Sequence, residues 1–535
     1  MASKSKFVNL DAMIQRADFS LEDSSNSRQS YDKLPTIALR DLTDTGLIRP
    51  ILRKPDFQRE TNHWAPEQVA SLIECFVNGD LIPSVIFWKS PSFLFVIDGG
   101  HRLSALRAWI EDDYGDGPVS LPFFGNVISR EQKKAAEKTR SIIATTVGTW
   151  GHLQSKLGES QSLDSPERNR VHTAVSRGIH IQWVEGNPEK AEASFFKINT
   201  QGTPLDDVEE LLLSNRKKPI AIAARAVIRA GMGHRYWSKF PPAIRDEITA
   251  LAKKIHHRLF QPEFDTPIKT LELPIGGSTG VRAALQVLIE FALAANRDAA
   301  GSPKAIKDLP DDDDGALTRD ALTKTFALAA RLTGNDRGSL GLHPAIYFYG
   351  PSGRHQSPMF LGVALLVSQK LINNDNAFFI KFSKVRGKLE QILIEKKTLI
   401  AAILQQAISR FRIKTYASLL DTLISKLANG PSVPISDEDI VTYVGLTGKV
   451  ITGNASHAGE KFSEDTKSSV FITNALKSGI KCPICDGYLD TAKSVSYDHI
   501  VERASGGSGS EDNCQLTHPY CNQSVKNGAF QRNTA

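Results

Sequence analysis

Two short cysteine and histidine patterns near the C-terminus restrict the fold of this chain more than any other feature. Cys482 and Cys485 form a C-x2-C pattern, and His518 and Cys521 form an H-x2-C pattern. Each pattern lets two side chains bind one tetrahedral ion from a tight turn, and together they supply the three sulfurs and one imidazole of a closed structural zinc site. The alternative is a polar loop in which a histidine lies beside a cysteine by chance. The spacing favours zinc.

Cysteine usage also favours a metal site over disulfide bonds. The chain has five cysteines, and four of them lie in the last 54 residues, whereas a disulfide framework would spread over a large chain. Cys514 does not fit the ligand spacing, and we expect it to be a small buried apolar residue. The N-terminus lacks the apolar core of a secretory signal, and the sequence has no apolar run of membrane-spanning length. We therefore expect a cytoplasmic protein without a membrane span.

Length and composition predict a multidomain α+β protein. A chain of 535 residues suggests about three domains. The formal net charge of +6 and the pI near 8.8 permit an acidic partner such as nucleic acid without requiring one. Changes in composition and periodicity predict a flexible lead-in at 1–33, an α/β domain at 34–215, a largely α-helical middle domain at 216–428, a linker at 429–470 and a metal-binding domain at 471–535.

A glycine corner in the N-terminal half is a candidate anion site. The sequence "SFLFVIDGGHRLSALRAW" predicts a strand that ends at Asp98, a turn at Gly99 and Gly100, and a helix that begins near His101. Glycines let the backbone approach a phosphate, the helix N-terminus offers N–H groups, and Arg102 can bind phosphate oxygens. Asp98 could hold a divalent ion. The alternative is an ordinary strand–turn–helix corner.

A lysine-rich helical stretch follows in the middle domain. It could turn a basic face toward DNA, but such a charge pattern favours a solvated helix face with no ligand. The lysines concerned are Lys381, Lys384, Lys388, Lys396 and Lys397.

The segment between the two zinc half-sites, "SVSYDHIVERASGGSGSEDNCQL", carries a third pattern. Asp498 and His499 follow a short β-like run, and a glycine-rich turn and Asn513 come next. This order resembles the HNH endonuclease family over about residues 478–530. The resemblance implies a ββα-metal fold that zinc holds together, because so short a unit cannot bury enough core alone. The commoner family arrangement has a cysteine where this chain has His518.

The same resemblance implies a second metal site with a catalytic role. Asp498 and Asn522 would bind a catalytic Mg²⁺ or Mn²⁺, since carboxylate and amide oxygens suit a hard divalent ion. His499 would be the general base that takes a proton from the water attacking the phosphodiester. Asn513 would fix the loop that orients His499.

The N-terminal half resembles the ParB-like, DGQQR-type domain at the front of GmrSD- and SspE-like defence proteins. The matching parts are "FQR", Trp64, "GDLIP", "IDGGHRLSAL" and "FFKINTQGTPL", and they cover about residues 34–215. In that family the domain is associated with nucleotide binding and hydrolysis. Gly100 and His101 stand where the family motif has two glutamines. The sequence of this chain is therefore closer to a DGxHR form. The resemblance implies a nucleotide site at Arg59, Asp98, Gly99, His101, Arg102 and Asn199.

Together the two resemblances imply a nucleotide-regulated, metal-dependent DNA endonuclease of anti-phage defence. The expected substrate is double-stranded DNA, foreign or modified, with a nucleoside triphosphate as effector and a homo-oligomer as a candidate assembly. One alternative is a DNA-binding regulator whose zinc domain has no catalytic activity. Another is a self-directed nuclease that infection triggers, whose cutting chemistry would be identical.

Overall fold

The protein, described by a computed structural model, divides into two compact units. The first comprises Met1–Arg216 with Met232–Tyr236, and the second comprises Lys217–Gly231 with Trp237–Ala535. A mixed sheet lies in the first unit and helices dominate the second, which confirms the α+β fold class. The structure describes residues 7–17, 19, 33–56, 58, 60–158, 164–201, 207–279, 283–298, 305–430, 434–446 and 462–525.

The described strands of the first unit form one mixed sheet with the order β1-β3-β5-β4-β6-β2. The central strands β4 and β5 pair antiparallel as the predicted hairpin, whereas β3 pairs parallel with β5 and β6 pairs parallel with β4. The edge strands are short: β1 runs parallel to β3, and β2 runs antiparallel to β6. The strands are β1 Arg16–Ala17, β2 Thr36–Ala38, β3 Leu52–Pro55, β4 Val85–Lys89, β5 Leu94–Asp98 and β6 Gly178–Val184.

Helices of the first unit begin and end where local residue chemistry favours it. The helix predicted from "APEQVASLIECFVNG" has Pro66 in its first turn, and it ends at Gly79, which adopts a left-handed φ of 82°. The helices are α1 Leu39–Leu42, α2 Pro66–Asn78, α3 Gly100–Glu111, α4 Ser120–Phe123, α5 Arg130–Thr146, α6 Trp150–Leu157, α7 Ser165–Ser176, α8 Pro188–Gln201 and α9 Asp207–Ser214.

Both faces of the sheet are buried, because successive side chains of a strand point to opposite sides. In β5, Val96 belongs to the larger core, which also contains residues of α2, α3, α5, α6 and α7. Its neighbours Phe95 and Ile97 belong to a second core with Phe195 of α8 and Leu213 of α9. The continuous apolar run of β5 therefore reflects burial on two faces.

Residues 7–17 differ from the predicted flexible lead-in. Leu10, Met13 and Ile14 are almost fully buried in the larger core. The carboxylate of Asp11, also buried, forms ion pairs with Arg16 and with Lys54, whose Nζ lies 2.9 Å from Oδ1. Because the segment is short and partly polar, its composition does not predict that it packs into the core. Residues 20–32 of the predicted lead-in lie outside the described part.

The second unit is built from helices up to the C-terminal segment. None of the helices in the described residues is long and apolar enough to span a membrane. Parts of the predicted linker, 431–433 and 447–461, lie outside the described residues, and the domain boundaries stay predictions. The helices are α10 Pro219–Ile228, α11 Pro242–Phe260, α12 Ala283–Ala295, α13 Ala316–Leu332, α14 Pro344–Tyr347, α15 Ser357–Ile372, α16 Asn376–Glu395, α17 Lys397–Gln406, α18 Arg412–Asn429, α19 Asp437–Tyr443 and α20 Glu464–Lys477.

The described C-terminal segment contains an antiparallel strand pair followed by one helical turn. Strand β7, Ser496–His499, pairs with β8, Cys514–Thr517. A turn of π-helix, Cys521–Val525, follows β8. The described part therefore has the β, β and helical elements that the sequence predicts in this order.

Hydrogen bonds from backbone N–H groups hold the C-terminal segment against the helical region. The N–H of Gly387 in α16 donates to the carbonyl of Cys485 at 3.1 Å, and the N–H of Tyr520 donates to the carbonyl of Ser339 at 2.9 Å. The N–H of Gly334 donates to the hydroxyl of Ser494 at 2.8 Å. These bonds explain why the two regions belong to one compact unit.

Candidate functional site

The structure brings the four predicted zinc ligands together. Their side chains are almost fully buried, and one potential ligand atom from each lies within 4.8 Å of all the others. Nδ1 of His518 is 3.3 Å from the sulfur of Cys485 and 4.0 Å from the sulfur of Cys521. Four donors that close in a buried pocket can surround a tetrahedral ion. We call this group, which also contains Cys482, the Cys3His cluster.

Backbone contacts fix the geometry of the Cys3His cluster. The turn that carries the first two cysteines closes through a hydrogen bond from the N–H of Asp486 to the carbonyl of Cys482, at 2.9 Å. Nε2 of His518 lies 3.0 Å from the carbonyl oxygen of Tyr488, so this nitrogen carries the proton and donates it. Nδ1 is then the basic atom that faces the sulfurs, as a metal-binding histidine requires.

The protonation states of the Cys3His cluster suit a cation. Hydrogen bonds with Cys482 raise the pKa of Cys485 to about 12 and raise the pKa of Cys521, whereas the reciprocal bonds lower the pKa of Cys482. A bound cation would favour deprotonation of all three thiols, because a thiol that coordinates a metal ion loses its proton. Burial lowers the pKa of His518, which keeps the imidazole neutral. This donor set fits zinc, whose specific binding stays a prediction.

The strand pair β7–β8 presents the candidate catalytic residues. Alternation places the side chains of Ser496 and Asp498 on one face of β7 and the side chain of His499 on the other. Asp498 is buried, and its Oδ2 accepts a hydrogen bond of 2.7 Å from Nε2 of Gln515, its register partner in β8. Nothing in the sequence pattern marks Gln515, because its role depends on the register of β7 against β8.

Asn522 lies against β7. Its Nδ2 donates to Oγ of Ser496 at 2.8 Å and to the carbonyl of Tyr497 at 3.1 Å. Since Ser496 and Asp498 share a face, these bonds bring the Asn522 amide to the Asp498 side of the strand. Both amide hydrogens are engaged, so the amide oxygen is the atom of Asn522 that can bind a cation.

Asn513 holds the loop that follows His499. Its Oδ1 accepts from the N–H of Val501 at 2.7 Å, and its Nδ2 donates to the carbonyls of Val501 and Ser508 at 3.1 and 2.7 Å. The backbone carbonyl of Asn513 also accepts from the N–H of Ile500 at 2.9 Å. One asparagine therefore ties the two ends of the glycine-rich turn together.

Cys514 differs from the buried apolar residue that the sequence predicts. Its side chain is exposed, and it is the register partner of His499 across the ladder. The adjacent bond between Ile500 and Asn513 makes the His499–Cys514 pair a non-hydrogen-bonded one, in which the Cα atoms are about 4.5 Å apart. Cys514 and His499 therefore share one surface.

The glycine corner of the first unit has the predicted strand, turn and helix. Gly99 has a φ of 95°, and a Cβ there would lie 2.5 Å from a methyl group of Val85, so the position requires glycine. Nη2 of Arg102 donates to Oδ2 of Asp98 at 2.6 Å and to the carbonyl of Ser84 at 3.1 Å. The candidate anion-binding arginine is thus paired with the candidate metal-binding carboxylate.

Further side chains line this corner. The ring of His101 stacks on Trp64, with ring centroids 5.5 Å apart, and Nε2 of His63 lies 2.9 Å from a carboxylate oxygen of Glu209. Gln58 packs beside Gly100, where a Cβ would lie 3.3 Å from its Oε1. Sequence reasoning gave no site role to His63, Glu209 or Gln58. The predicted residue Arg59 and the side chain of Asn199 lie outside the described residues.

Two family models match the chain at these sites. The model described as GmrSD restriction endonuclease, N-terminal domain, matches residues 39–216. The model described as HNH endonuclease matches residues 482–528. The chain carries both domains. The GmrSD-type domain contains the glycine corner, and the HNH domain contains the Cys3His cluster and the strand pair β7–β8. Comparisons with curated proteins and with solved structures gave no match.

The two matches confirm the resemblance inferred from the motifs and give the activity in outline. The HNH domain supports DNA endonuclease activity and implies a DNA substrate and a divalent metal. A GmrSD-type domain joined to an HNH domain supports a nuclease in restriction-like defence.

We expect Cys514 to be the thiol that N-ethylmaleimide labels first, because the cluster thiols are buried and Cys75 is half-buried. Labelling should also slow DNA cleavage, since the added group would lie beside His499, whereas a Cys514→Ser variant should keep its rate in the reagent. Peptide mass mapping over time measures the order of labelling. Labelling of Cys485 before Cys514 would contradict the exposure of Cys514 and the burial of Cys485.

Proposed function

We propose that the HNH domain is a one-metal nuclease that hydrolyses phosphodiester bonds of double-stranded DNA under control of a nucleotide bound to the GmrSD-type domain. The observation that carries this proposal is the position of Asn522, which follows the cluster residue Cys521 and hydrogen-bonds β7 on the Asp498 side. The structural zinc would thereby set the position of an asparagine that the nuclease needs.

Asp498 and Asn522 would hold the catalytic divalent ion. A carboxylate and an amide oxygen are hard donors, and a site with only two protein ligands suits Mg²⁺ or Mn²⁺ that keeps several waters. The hydrogen bond from Gln515 orients the Asp498 carboxylate. When bound, the ion would neutralise charge that develops on the phosphate and on the leaving oxygen.

His499 would act as the general base. Imidazole is the side chain most often used for this task. His499 leaves β7 on the face opposite to Asp498, which suits a displacement whose attacking and leaving oxygens lie on opposite sides of the phosphorus. The bonds that Asn513 makes to Val501 and Ser508 would keep the chain after His499 from moving.

The glycine corner of the GmrSD-type domain would bind the phosphates of a nucleoside triphosphate. The guanidinium of Arg102 already binds one anion, the carboxylate of Asp98. A phosphate of the nucleotide would replace that carboxylate at the guanidinium. The N-terminus of α3 begins at Gly100 and offers N–H groups to the same ligand. The stacked pair of Trp64 and His101 gives a flat apolar surface that suits a base.

We expect Arg102→Ala to weaken nucleotide binding by about tenfold or more, because a hydrogen bond to a charged group contributes about 1.5–3 kcal/mol. Isothermal titration with each nucleoside triphosphate in Mg²⁺ measures this change. Arg40→Ala, which removes an exposed arginine of α1, is the matched control and should bind like the unchanged protein. Equal affinities for both variants would exclude Arg102 from the site.

The proposed activity is tested by incubating the purified protein with plasmid, host DNA, and modified and unmodified phage DNA. Each substrate is offered Mg²⁺ or Mn²⁺, with and without each nucleoside triphosphate. Cleavage that needs a divalent ion and increases with a nucleotide is the expected result. Binding of DNA without cleavage under every condition would favour the regulator with a non-catalytic zinc domain. Cleavage of host DNA at the same rate as phage DNA would favour the self-directed nuclease.

A further inference from the structure

The HNH domain has too little positive charge to hold DNA by itself. Residues 471–535 contain six lysine and arginine residues and six aspartate and glutamate residues. Affinity for DNA depends chiefly on cations that neutralise backbone phosphates. Most of the contacts to backbone phosphates must therefore come from other parts of the chain.

Helix α16 is the neighbouring element that can supply them. Its Gly387 bonds the carbonyl of Cys485, and its Glu390 accepts a hydrogen bond of 2.6 Å from the N–H of Tyr488. Because the carbonyl of Tyr488 accepts in turn from His518, α16 holds the same turn that fixes the metal-binding histidine. Residues 376–397 contain six basic and two acidic side chains, so positive charge is concentrated beside the HNH domain.

The structure separates these basic side chains into two groups. Arg386 is buried and ion-paired with Glu390, at 2.7 Å. Lys396 is ion-paired with Asp437. Lys397 is half-buried and donates to the carbonyl of Ala345, and desolvation lowers its pKa to about 8. These three side chains serve the packing of the second unit. The three that remain, Lys381, Lys384 and Lys388, are exposed.

The exposed lysines lie on one face of the helix. Positions i, i+3 and i+7 fall on the same side of an α-helix, and this side is opposite to the one that buries Phe382, Arg386 and Leu389. From Lys381 to Lys388 the stripe is about 10 Å long. One strand of B-DNA presents a phosphate about every 3.4 Å along the axis, so three lysines over this length can reach different phosphates.

We propose that Lys381, Lys384 and Lys388 form a lysine stripe that binds the phosphate backbone of the DNA that the HNH domain cuts. This inference rests on the proposed function, since it assigns a surface to the substrate of that nuclease. Asp486, the acidic neighbour of Gly387, is already ion-paired with Lys481 at 3.5 Å. The ammonium group of a lysine binds phosphate as a point charge, so the stripe adds affinity and no sequence preference.

The test compares DNA binding of full-length proteins that carry His499→Ala, so that no strand is cut during the measurement. One carries the stripe variant (Lys381→Gln, Lys384→Gln and Lys388→Gln), and fluorescence anisotropy follows a labelled duplex over a salt series. We expect the slope of log K against log salt to become less steep by about 2.7, which is 0.9 for each of three lost contacts. The matched control replaces three other exposed lysines of the second unit, Lys253→Gln, Lys254→Gln and Lys307→Gln.

The cleavage assay gives a second readout in proteins that keep His499. The stripe variant should raise KM and leave kcat unchanged, because the stripe binds ground state and transition state alike. An unchanged salt slope in the stripe variant, or an equal loss in the control, would overturn the inference. If the unchanged protein cuts no DNA, the proposed function fails, and the binding measurement still decides whether the stripe holds DNA.

Discussion

Replacing His499 with alanine is expected to slow DNA cleavage by about two to four orders of magnitude, the range that a positioned general base contributes. His499 lies at the end of β7, where it follows Asp498 and precedes the loop that Asn513 ties down. Without the imidazole, bulk water must accept the proton of the attacking water. Single-turnover cleavage of a plasmid in saturating Mg²⁺ measures the effect on the chemical step.

The control for this variant is His257→Ala, which removes an exposed histidine of α11 in the same unit. It should cleave at the unchanged rate. Zinc content and DNA affinity should be the same in both variants, so that a slower rate reports chemistry alone. A His499→Ala protein that cuts as fast as the unchanged protein would exclude His499 as the base.

Replacing Cys485 with serine is expected to remove the zinc ion and the nuclease activity together. Apparent binding free energies of structural zinc are about 10–16 kcal/mol in zinc-finger peptides at neutral pH, which equals the whole stability of many domains. The backbone carbonyl of Cys485 also accepts a hydrogen bond from the N–H of Gly387 in α16. Loss of the zinc ion should therefore loosen the contact between the HNH domain and the helical region. Metal analysis, thermal unfolding and plasmid cleavage measure the three consequences.

Cys514→Ser is the matched control, because it makes the same substitution in the same domain at an exposed position outside the Cys3His cluster. This variant should bind one zinc ion per chain and unfold at the unchanged temperature. Equal zinc content in the Cys485→Ser and Cys514→Ser proteins would contradict the four-ligand site.

Local sequence patterns predicted the features that depend on spacing and periodicity. The C-x2-C and H-x2-C spacings predicted four residues that the structure brings within ligand distance. Two apolar runs around a polar turn predicted the hairpin of β4 and β5, and the glycines after Asp98 predicted the turn before α3. Each of these depends on residues close in sequence or on the fixed chemistry of a metal site.

Contacts between distant residues could not be predicted in this way. Gln515 contacts Asp498 only because of the β7–β8 register, and Lys54 lies beside Asp11 only because residues 7–17 pack into the core. The lysines near α16 look alike in sequence, yet packing half-buries Lys397 and leaves Lys388 exposed. The role of each of these side chains depends on spatial neighbours that lie far away in the sequence, and a single sequence does not identify them.

Metal-dependent cleavage by the zinc-loaded full-length protein tests the proposed nuclease activity most directly. Supercoiled plasmid is incubated with the protein after removal of weakly bound divalent ions, with zinc content measured before and after, and Mg²⁺ is then added back. We expect the protein to keep its zinc, to cut nothing until Mg²⁺ is added and then to cleave the plasmid. Full cleavage before Mg²⁺ is added, or no cleavage after it with every nucleotide and every DNA offered, would contradict the proposed activity.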